Sequence, residues 1–493
     1  VFDAAEVGNS VSKADYEARA PQLRVDLINA QYDLKQAAAF PVVVVLTGDD
    51  RGGVNETLNV LHEWMDARYL RTRAFRPPSD EERERPRFWR YWRVLPRKGN
   101  LALFVGDWST SLIVDRLARQ LSDAEWARGT EHAERLEQAL VDDGALLLKF
   151  WIHLSKKEMK KRLERAKKDD GAALRVDELD RQIYENYDAV IPVAEELLRR
   201  TSSGAAPWQV IEGTDPHYRD LAVAEGILAA LRGRLDGAPA QAAPPAPSVP
   251  TVDPDPHTTV LGSVDLSQTL PYDVYKERLF AQQMRLRKRA RKARKKKLSA
   301  VIVLEGWDAA GKGGAIRRMT RALDARDYRV IPIAAPTEEE KSHHYLWRFW
   351  RHMPRDGEVL IFDRSWYGRV LVERVEGFAQ PREWKRAYTE INDFEDQIVA
   401  SGTTLVKFWL HLDPDEQLRR FEAREKTAFK KYKIGAEDYR NRRKWDAYVE
   451  AVDEMVARTS SSIAPWHLVP ANDKRFARVT VLETVCAALE KHL

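Results

Sequence analysis

With 493 residues the chain has room for two full domains, and 44% hydrophobic content fits a soluble globular protein. The longest apolar stretch, around Phe40 to Leu46, is strand-sized, which excludes a membrane-spanning helix, and no basic-then-apolar opening reads as a signal peptide. A net charge of +5 conceals 81 basic against 76 acidic side chains, so basic patches matter more than the total and imply a polyanionic partner. The single cysteine, Cys486, excludes an internal disulfide framework; together these readings predict a cytoplasmic protein with no membrane contact.

In chain order, the Phe40 to Leu46 strand runs into Gly48, Asp50 and Gly53, the outline of a tight loop. Trp89-Arg90-Tyr91-Trp92-Arg93, Val105-Gly106-Asp107, Lys149 to Leu154 and Thr201 to Trp208 follow, and the first domain is predicted over 10–233. Seven of the 24 prolines fall between Pro239 and Pro256, so 234–261 reads as a semi-extended Pro/Ala-rich linker. The second domain, 262–493, opens with a helix from about Pro271 to Lys297 and a strand from Ala300 to Glu305. Further strands are predicted at Arg329 to Ala334, Val359 to Phe362, Thr404 to Leu410 and Ile463 to Val469, with amphipathic stretches between them. Strands alternating with helices predict an α/β fold, a parallel sheet flanked by helices, whose ligands gather at the strands' carboxyl ends.

One constant offset relates the halves. Gly48 and Gly306 lie 258 positions apart, and the same spacing carries Pro96 to Pro354, Lys149–Leu154 to Lys407–Leu412, and Thr201–Trp208 to Thr459–Trp466. A period so far above solenoid lengths is a tandem duplication of whole domains. The copies differ where charge matters: Lys312 faces Val54, and Asp363-Arg364-Ser365 faces Val105-Gly106-Asp107. The first copy therefore reads as degenerate and inactive.

Gly306, four intervening residues, Gly311 and Lys312 match the GxxxxGK part of a P-loop between a strand and a helix, in which backbone N–H groups and one ammonium surround phosphate oxygens. Gly306, Gly311, Lys312, Gly313 and Gly314 are the predicted phosphate cradle; Gly313 stands where Ser or Thr usually helps hold Mg²⁺. The apolar strand Val359–Phe362 ends in Asp363-Arg364, the arrangement of a Walker B strand. Asp363 and Asp308 are the predicted metal carboxylates, for Mg²⁺ or Mn²⁺ in its place, and Lys312 and Arg364 the cations that stabilise a moving phosphoryl group. Asp308, Lys312, Asp363 and Arg364 make up the predicted catalytic set. The basic run Arg285 to Lys297 reads first as a solvated helix face. His343 and His344 read as structural, because adjacent helical side chains diverge by about 100°.

These residues resemble the family-2 polyphosphate kinases, and among them the two-domain members that act as polyphosphate:AMP phosphotransferases. The resemblance rests on Glu305–Gly314, Ala335–Glu338, Phe362–Gly368, Val372–Val375 and the basic segment Arg419 to Lys433. It implies tandem P-loop kinase-like cores similar to thymidylate kinases, each with a helical lid, and in the second lid the phosphate-binding cations Arg424, Lys430 and Lys433. Thr427-Ala428 and Tyr432 depart from the more common form of that lid. The implied donor is inorganic polyphosphate, the implied acceptor AMP, giving ADP reversibly, with no nucleic-acid partner; association into a homo-oligomer stays open. An ATP-dependent nucleoside monophosphate kinase and a non-enzymatic polyanion-binding protein are the alternatives.

Overall fold

The computed structural model describes residues 2–168, 176, 178–237, 259–428 and 434–493. It contains two compact units, one made of Val1–Pro78, Arg90–Ala246 and Glu338–His344, the other of Ser79–Trp89, Pro247–Thr337 and Tyr345–Leu493. Most of the predicted linker lies outside the described residues.

Each unit is built on one five-stranded sheet. In the first, β1 (Val42–Gly48), β2 (Leu70–Ala74), β3 (Leu101–Val105), β4 (Leu146–His153) and β5 (Trp208–Glu212) stand in the order β2-β3-β1-β4-β5. In the second, β6 (Ala300–Gly306), β7 (Tyr328–Pro332), β8 (Val359–Asp363), β9 (Thr404–His411) and β10 (Trp466–Pro470) stand in the order β10-β9-β6-β8-β7, the same sequence of strands. Every pairing is parallel. The central strands β1 and β6 are buried along nearly their whole length, as strands covered on both faces must be. The fold is thus the α/β duplication that the 258-residue spacing implies.

The repeated sequence blocks turn out to hold each sheet to its helices. Lys407, wholly buried in β9, donates to Glu395 at 2.7 Å, to the Thr459 carbonyl at 2.7 Å and to the Tyr367 hydroxyl at 2.9 Å. Trp466 closes the arrangement by donating its indole N–H to Thr459 Oγ1 at 2.9 Å. In the first unit Lys149 makes the same contacts with Glu137 and the Thr201 carbonyl, and Trp208 donates to Thr201 Oγ1 at 2.8 Å. Burial pushes Lys407 and Lys149 below the usual ammonium range and pushes Glu395 up, so each buried cation needs its full set of acceptors. That requirement explains why Lys, Thr and Trp recur at one spacing in both units.

Two predicted elements differ in detail. The last strand begins at Trp466 rather than Ile463, because the amides of Ala464 and Trp466 are taken by the Ser461 and Ser460 hydroxyls at 3.1 Å and the backbone turns before it pairs. The basic helix Tyr272–Lys295 packs along the helix Lys474–His492, and its cations are not all solvated. Arg285 and Arg289 both pair with Glu490, and Arg294 pairs with Asp327.

Candidate active site

The loop joining β6 to the helix Lys312–Thr320 lies at the carboxyl end of the central strand of the second unit. Gly306 has φ +140°, and a Cβ there would sit 2.5 Å from the Leu410 carbonyl oxygen on β9, so only glycine permits this approach. Gly311, at φ +118°, caps the helix without a side-chain hydrogen bond, and its carbonyl accepts from the Gly314 amide at 2.8 Å. A side chain at Gly313 would meet open space, whereas at Gly314 it would come 3.4 Å from the Arg478 guanidinium. Lys312 Nζ folds over the loop and donates to the carbonyls of Gly306 at 2.6 Å and Trp307 at 3.2 Å.

The neighbouring strand brings the second motif to the same place. In the β6–β8 register Leu304 stands opposite Asp363, and the Arg364 amide donates to the Leu304 carbonyl at 3.1 Å. Arg364 takes a left-handed backbone, φ +66°, an uncommon conformation for a residue with a Cβ. Its guanidinium donates to Asp308 Oδ1 at 3.0 Å. Burial would raise the Asp308 carboxyl, but Lys312, Arg364 and Asn441 outweigh it and hold it below the usual carboxylate range. Lys312 is lowered, first by burial, then by Arg364, against the pull of Asp308, Asp363 and Glu305. The Lys312 ammonium thus feels Asp308, Asp363, Glu305 and Arg364 together. The Asp363 side chain is half-buried and has no hydrogen-bond or ion-pair partner among the described residues.

Of the three lid cations, Arg424 ends the helix Pro414–Glu425, while Lys430 and Lys433 lie outside the described residues. Asp438, on the helix Ala436–Arg443, has its carboxyl raised first by burial and also by Asp308, against the Gly435 amide, Arg424 and Arg364, which lower it.

Several participants carry no signal in the local sequence. Glu305, 5% exposed beneath the loop, accepts from Ser365 Oγ at 2.8 Å, and burial raises its carboxyl against the pull of Lys312. Arg420, 2% exposed, braces the loop by donating to the carbonyls of Ala309 at 3.0 Å and Ala310 at 3.1 Å, and to those of Ala471 and Asn472 beyond β10. Gln417 donates to the Asp308 carbonyl at 3.2 Å and Asn441 to Asp308 Oδ2 at 3.0 Å. Trp307 stacks on Trp445 with centroids 3.7 Å apart and donates to His411 Nδ1 at 3.0 Å. Glu305 and Trp307 lie in the loop segment itself, whereas Gln417, Arg420 and Asn441 come from more than 100 positions away.

The corresponding loop of the first unit keeps the backbone and loses the charge. Gly48 has φ +151°, with the Ile152 carbonyl 2.0 Å from where a Cβ would sit. Asp50, 2% exposed, turns inward, accepts from the Gly53 amide at 2.8 Å and pairs with Arg162. Beside it Asp49 binds His153 Nδ1 at 2.6 Å, and Glu6 binds Nε2 at 2.9 Å. The cavity left between Asp49, Asp50, Gly52, Leu154, Met159 and Arg162 is about 20 Å³, room for one water.

Both units match the model of the polyphosphate kinase 2 family, over residues 10–237 and 269–493. The chain belongs to the polyphosphate kinase 2 family. It is 50% identical over 492 residues to a polyphosphate:AMP phosphotransferase of Pseudomonas aeruginosa, covering 99% of each chain. It is 48% identical over 495 residues to a protein of the same description from Pseudomonas syringae, covering 100% of this chain and 98% of the other. A crystal structure described as a polyphosphate kinase 2 from Pseudomonas aeruginosa PA01 superposes with a TM-score of 0.89 at 49% identity, covering 100% of this chain and 99% of that one. Membership in this family agrees with the two sheets of identical order and with the loop-to-strand geometry of the second unit. Among the described residues no helix is long and apolar enough to cross a membrane.

Proposed function

We propose that the second unit transfers the terminal phosphoryl group of inorganic polyphosphate to the 5′-phosphate of AMP, giving ADP and a chain one unit shorter. The observation that carries this reading is the convergence of Lys312, Arg364 and Asp308 at the end of β6, in a chain similar along its whole length to polyphosphate:AMP phosphotransferases.

An AMP phosphate oxygen is already ionised near neutral pH, so no strong general base is required. The chemistry asks for positioning and for positive charge where the loose transition state spreads its negative charge. Lys312 now donates to two loop carbonyls and retains a third N–H; an arriving phosphate competes for those protons and draws the ammonium out of the loop. Arg364, anchored through one nitrogen to Asp308, presents its remaining donors to the transferred group. Asp308 is acceptor-only and ionised, and orients Arg364. Arg424 adds charge at the lid side of the cluster. Since a phosphoanhydride is broken and another formed, the reaction runs in both directions.

A divalent cation fits the donor set. Asp308 and Asp363 are carboxylate oxygen donors, the ligand type Mg²⁺ prefers beside its waters and phosphate oxygens. Asp363, at the end of β8 with no hydrogen-bond or ion-pair partner among the described residues, and Asp308 would hold it. When bound it would neutralise charge on the phosphate oxygens. Mn²⁺ has similar oxygen preferences.

The first unit contributes no chemistry in this reading: Val54 and Gly106 replace the two cations, and Asp50 with Arg162 fills the loop. The test is ADP formation from AMP and polyphosphate with Mg²⁺ and no ATP. Product with polyphosphate but none when ATP replaces it is the expected result; no product from polyphosphate rejects the proposal.

A further inference from the structure

Asn441 lies on the helix Ala436–Arg443, the first described helix after residues 429–433, and Trp445 stands four positions on. The pair grips consecutive loop residues, Asn441 through Asp308 and Trp445 through the stack on Trp307. The orientation of the carboxamide follows from chemistry. An ionised carboxylate can only accept, so the amide nitrogen must face Asp308 Oδ2, at 3.0 Å, and the amide oxygen must point away. That oxygen is buried and has no hydrogen-bond partner among the described residues. A buried carbonyl oxygen without a donor is destabilising, so its place beside Asp308 calls for a donor that arrives with the ligands.

The donor has a recognisable chemistry. Neither the Lys312 ammonium nor the Arg364 guanidinium, which donate to Gly306, Trp307 and Asp308, hydrogen-bonds this amide oxygen. An amide oxygen adjoining the Asp308 carboxylate, which together with Asp363 acts on Lys312, suits the hydrogens of water on a small, hard divalent cation. The first unit supplies a control: the position 258 residues earlier is Ile183, which has no oxygen to offer.

We infer that Asn441 is a further positioning residue of the second unit, its amide N–H fixing the Asp308 carboxylate and its amide oxygen accepting from a water carried by the divalent cation. The inference rests on the cation expected of the proposed phosphotransferase. In Asn441→Leu both groups disappear at similar volume; in Asn441→Asp the oxygens remain and the donor is lost.

The full chain is titrated with Mn²⁺ alone, followed by the EPR signal of the free ion, and the melting temperature of each variant checks that the fold is intact. The expected result is at least fivefold weaker Mn²⁺ binding in Asn441→Leu, binding in Asn441→Asp equal to or tighter than in the parent, and a raised Mg²⁺ requirement in Asn441→Leu with KM for AMP unmoved. Mn²⁺ binding by Asn441→Leu within twofold of the parent overturns the assignment, as does equal weakening in both variants or no binding by the parent. The titration contains neither polyphosphate nor AMP, so its failure leaves the phosphotransferase reading standing, and a failed ADP assay leaves this one standing.

Discussion

The loops at Gly48 and Gly306 descend from one ancestor, follow the same backbone and have opposite electrostatic characters. Both begin with a glycine pressed against the neighbouring strand, at φ +151° and +140°. Around Asp308 the second loop gathers Lys312, which donates to two loop carbonyls, and Arg364, which donates to a single carboxylate. In the first loop Asp50 supplies its own anion, paired with Arg162, and Asp49 and Glu6 clamp His153. The comparison teaches that the loop's geometry belongs to the fold, while phosphate chemistry depends on which charges remain unspent when the fold is complete. A P-loop can survive as a structural turn once its charge is satisfied from within.

The most severe way to break the comparison is to remove the ammonium. Lys312→Ala is expected to lower the rate of ADP formation by about 10³-fold or more, while Val54→Lys in the first unit leaves it within twofold, both read as initial rates at saturating substrates. A rate in Lys312→Ala near that of the parent would move the chemistry elsewhere. Next, Arg364→Ala should cost about 10²-fold in kcat, and Arg364→Lys should recover only part of it because an ammonium cannot serve Asp308 and a phosphate in the fork geometry of a guanidinium. Recovery of the full rate by lysine would mean the residue acts as a point charge alone.

Backbone substitutions sharpen the shared part. Gly306→Ala and Gly48→Ala each force a Cβ onto a strand carbonyl from a left-handed φ, and each is expected to destabilise its unit by about 2–4 kcal/mol in denaturant melts. Activity should fall sharply in the first and follow only global stability in the second. A silent Gly48→Ala would show that the first loop has no structural duty.

The smallest effect separates the two histidines by pH. His153 is lowered by burial but raised more by Asp49 and Glu6, so its folded value lies above the unfolded one. Its stabilisation is present below about pH 6.5 and is lost as pH rises through the raised value. His411, against Trp307, is pushed down to about 4 by burial, so it favours the fold when neutral. That contribution, at most about 3 kcal/mol, is present above about pH 6.5 and is lost as pH falls toward about 4. Thermal melts should therefore show His153→Asn removing a loss of stability on the alkaline side and His411→Asn removing one on the acid side. Matching pH profiles for the two variants would refute the contrast.

Much of this was readable along the chain, for local reasons. Runs such as Val359–Phe362 and Thr404–Leu410 are apolar because buried parallel strands need both faces covered, and the loop glycines are needed where no Cβ fits. Asp308, Lys312, Asp363 and Arg364 sit beside such landmarks, so their meeting at the carboxyl ends of adjacent strands followed from the parallel order. Arg285 and Arg289 did not declare their partner, since Glu490 lies about 200 positions away. Nor did Asn441, which resembles any polar residue on a charged helix until the chain brings it 133 positions back to Asp308.

By itself the amino-acid order determined the duplication, the alternation of strand and helix, and which copy kept its cations, because all three are properties of spacing and residue type. Tertiary structure alone decided how those cations are spent. It turned Asp50 inward and Asp308 toward Arg364 and Asn441, and among the described residues it left Asp363 without a hydrogen-bond or ion-pair partner. The physical reason is that an ionic group's role depends on the partners burial leaves it, and those partners come from strands and helices far away in the chain.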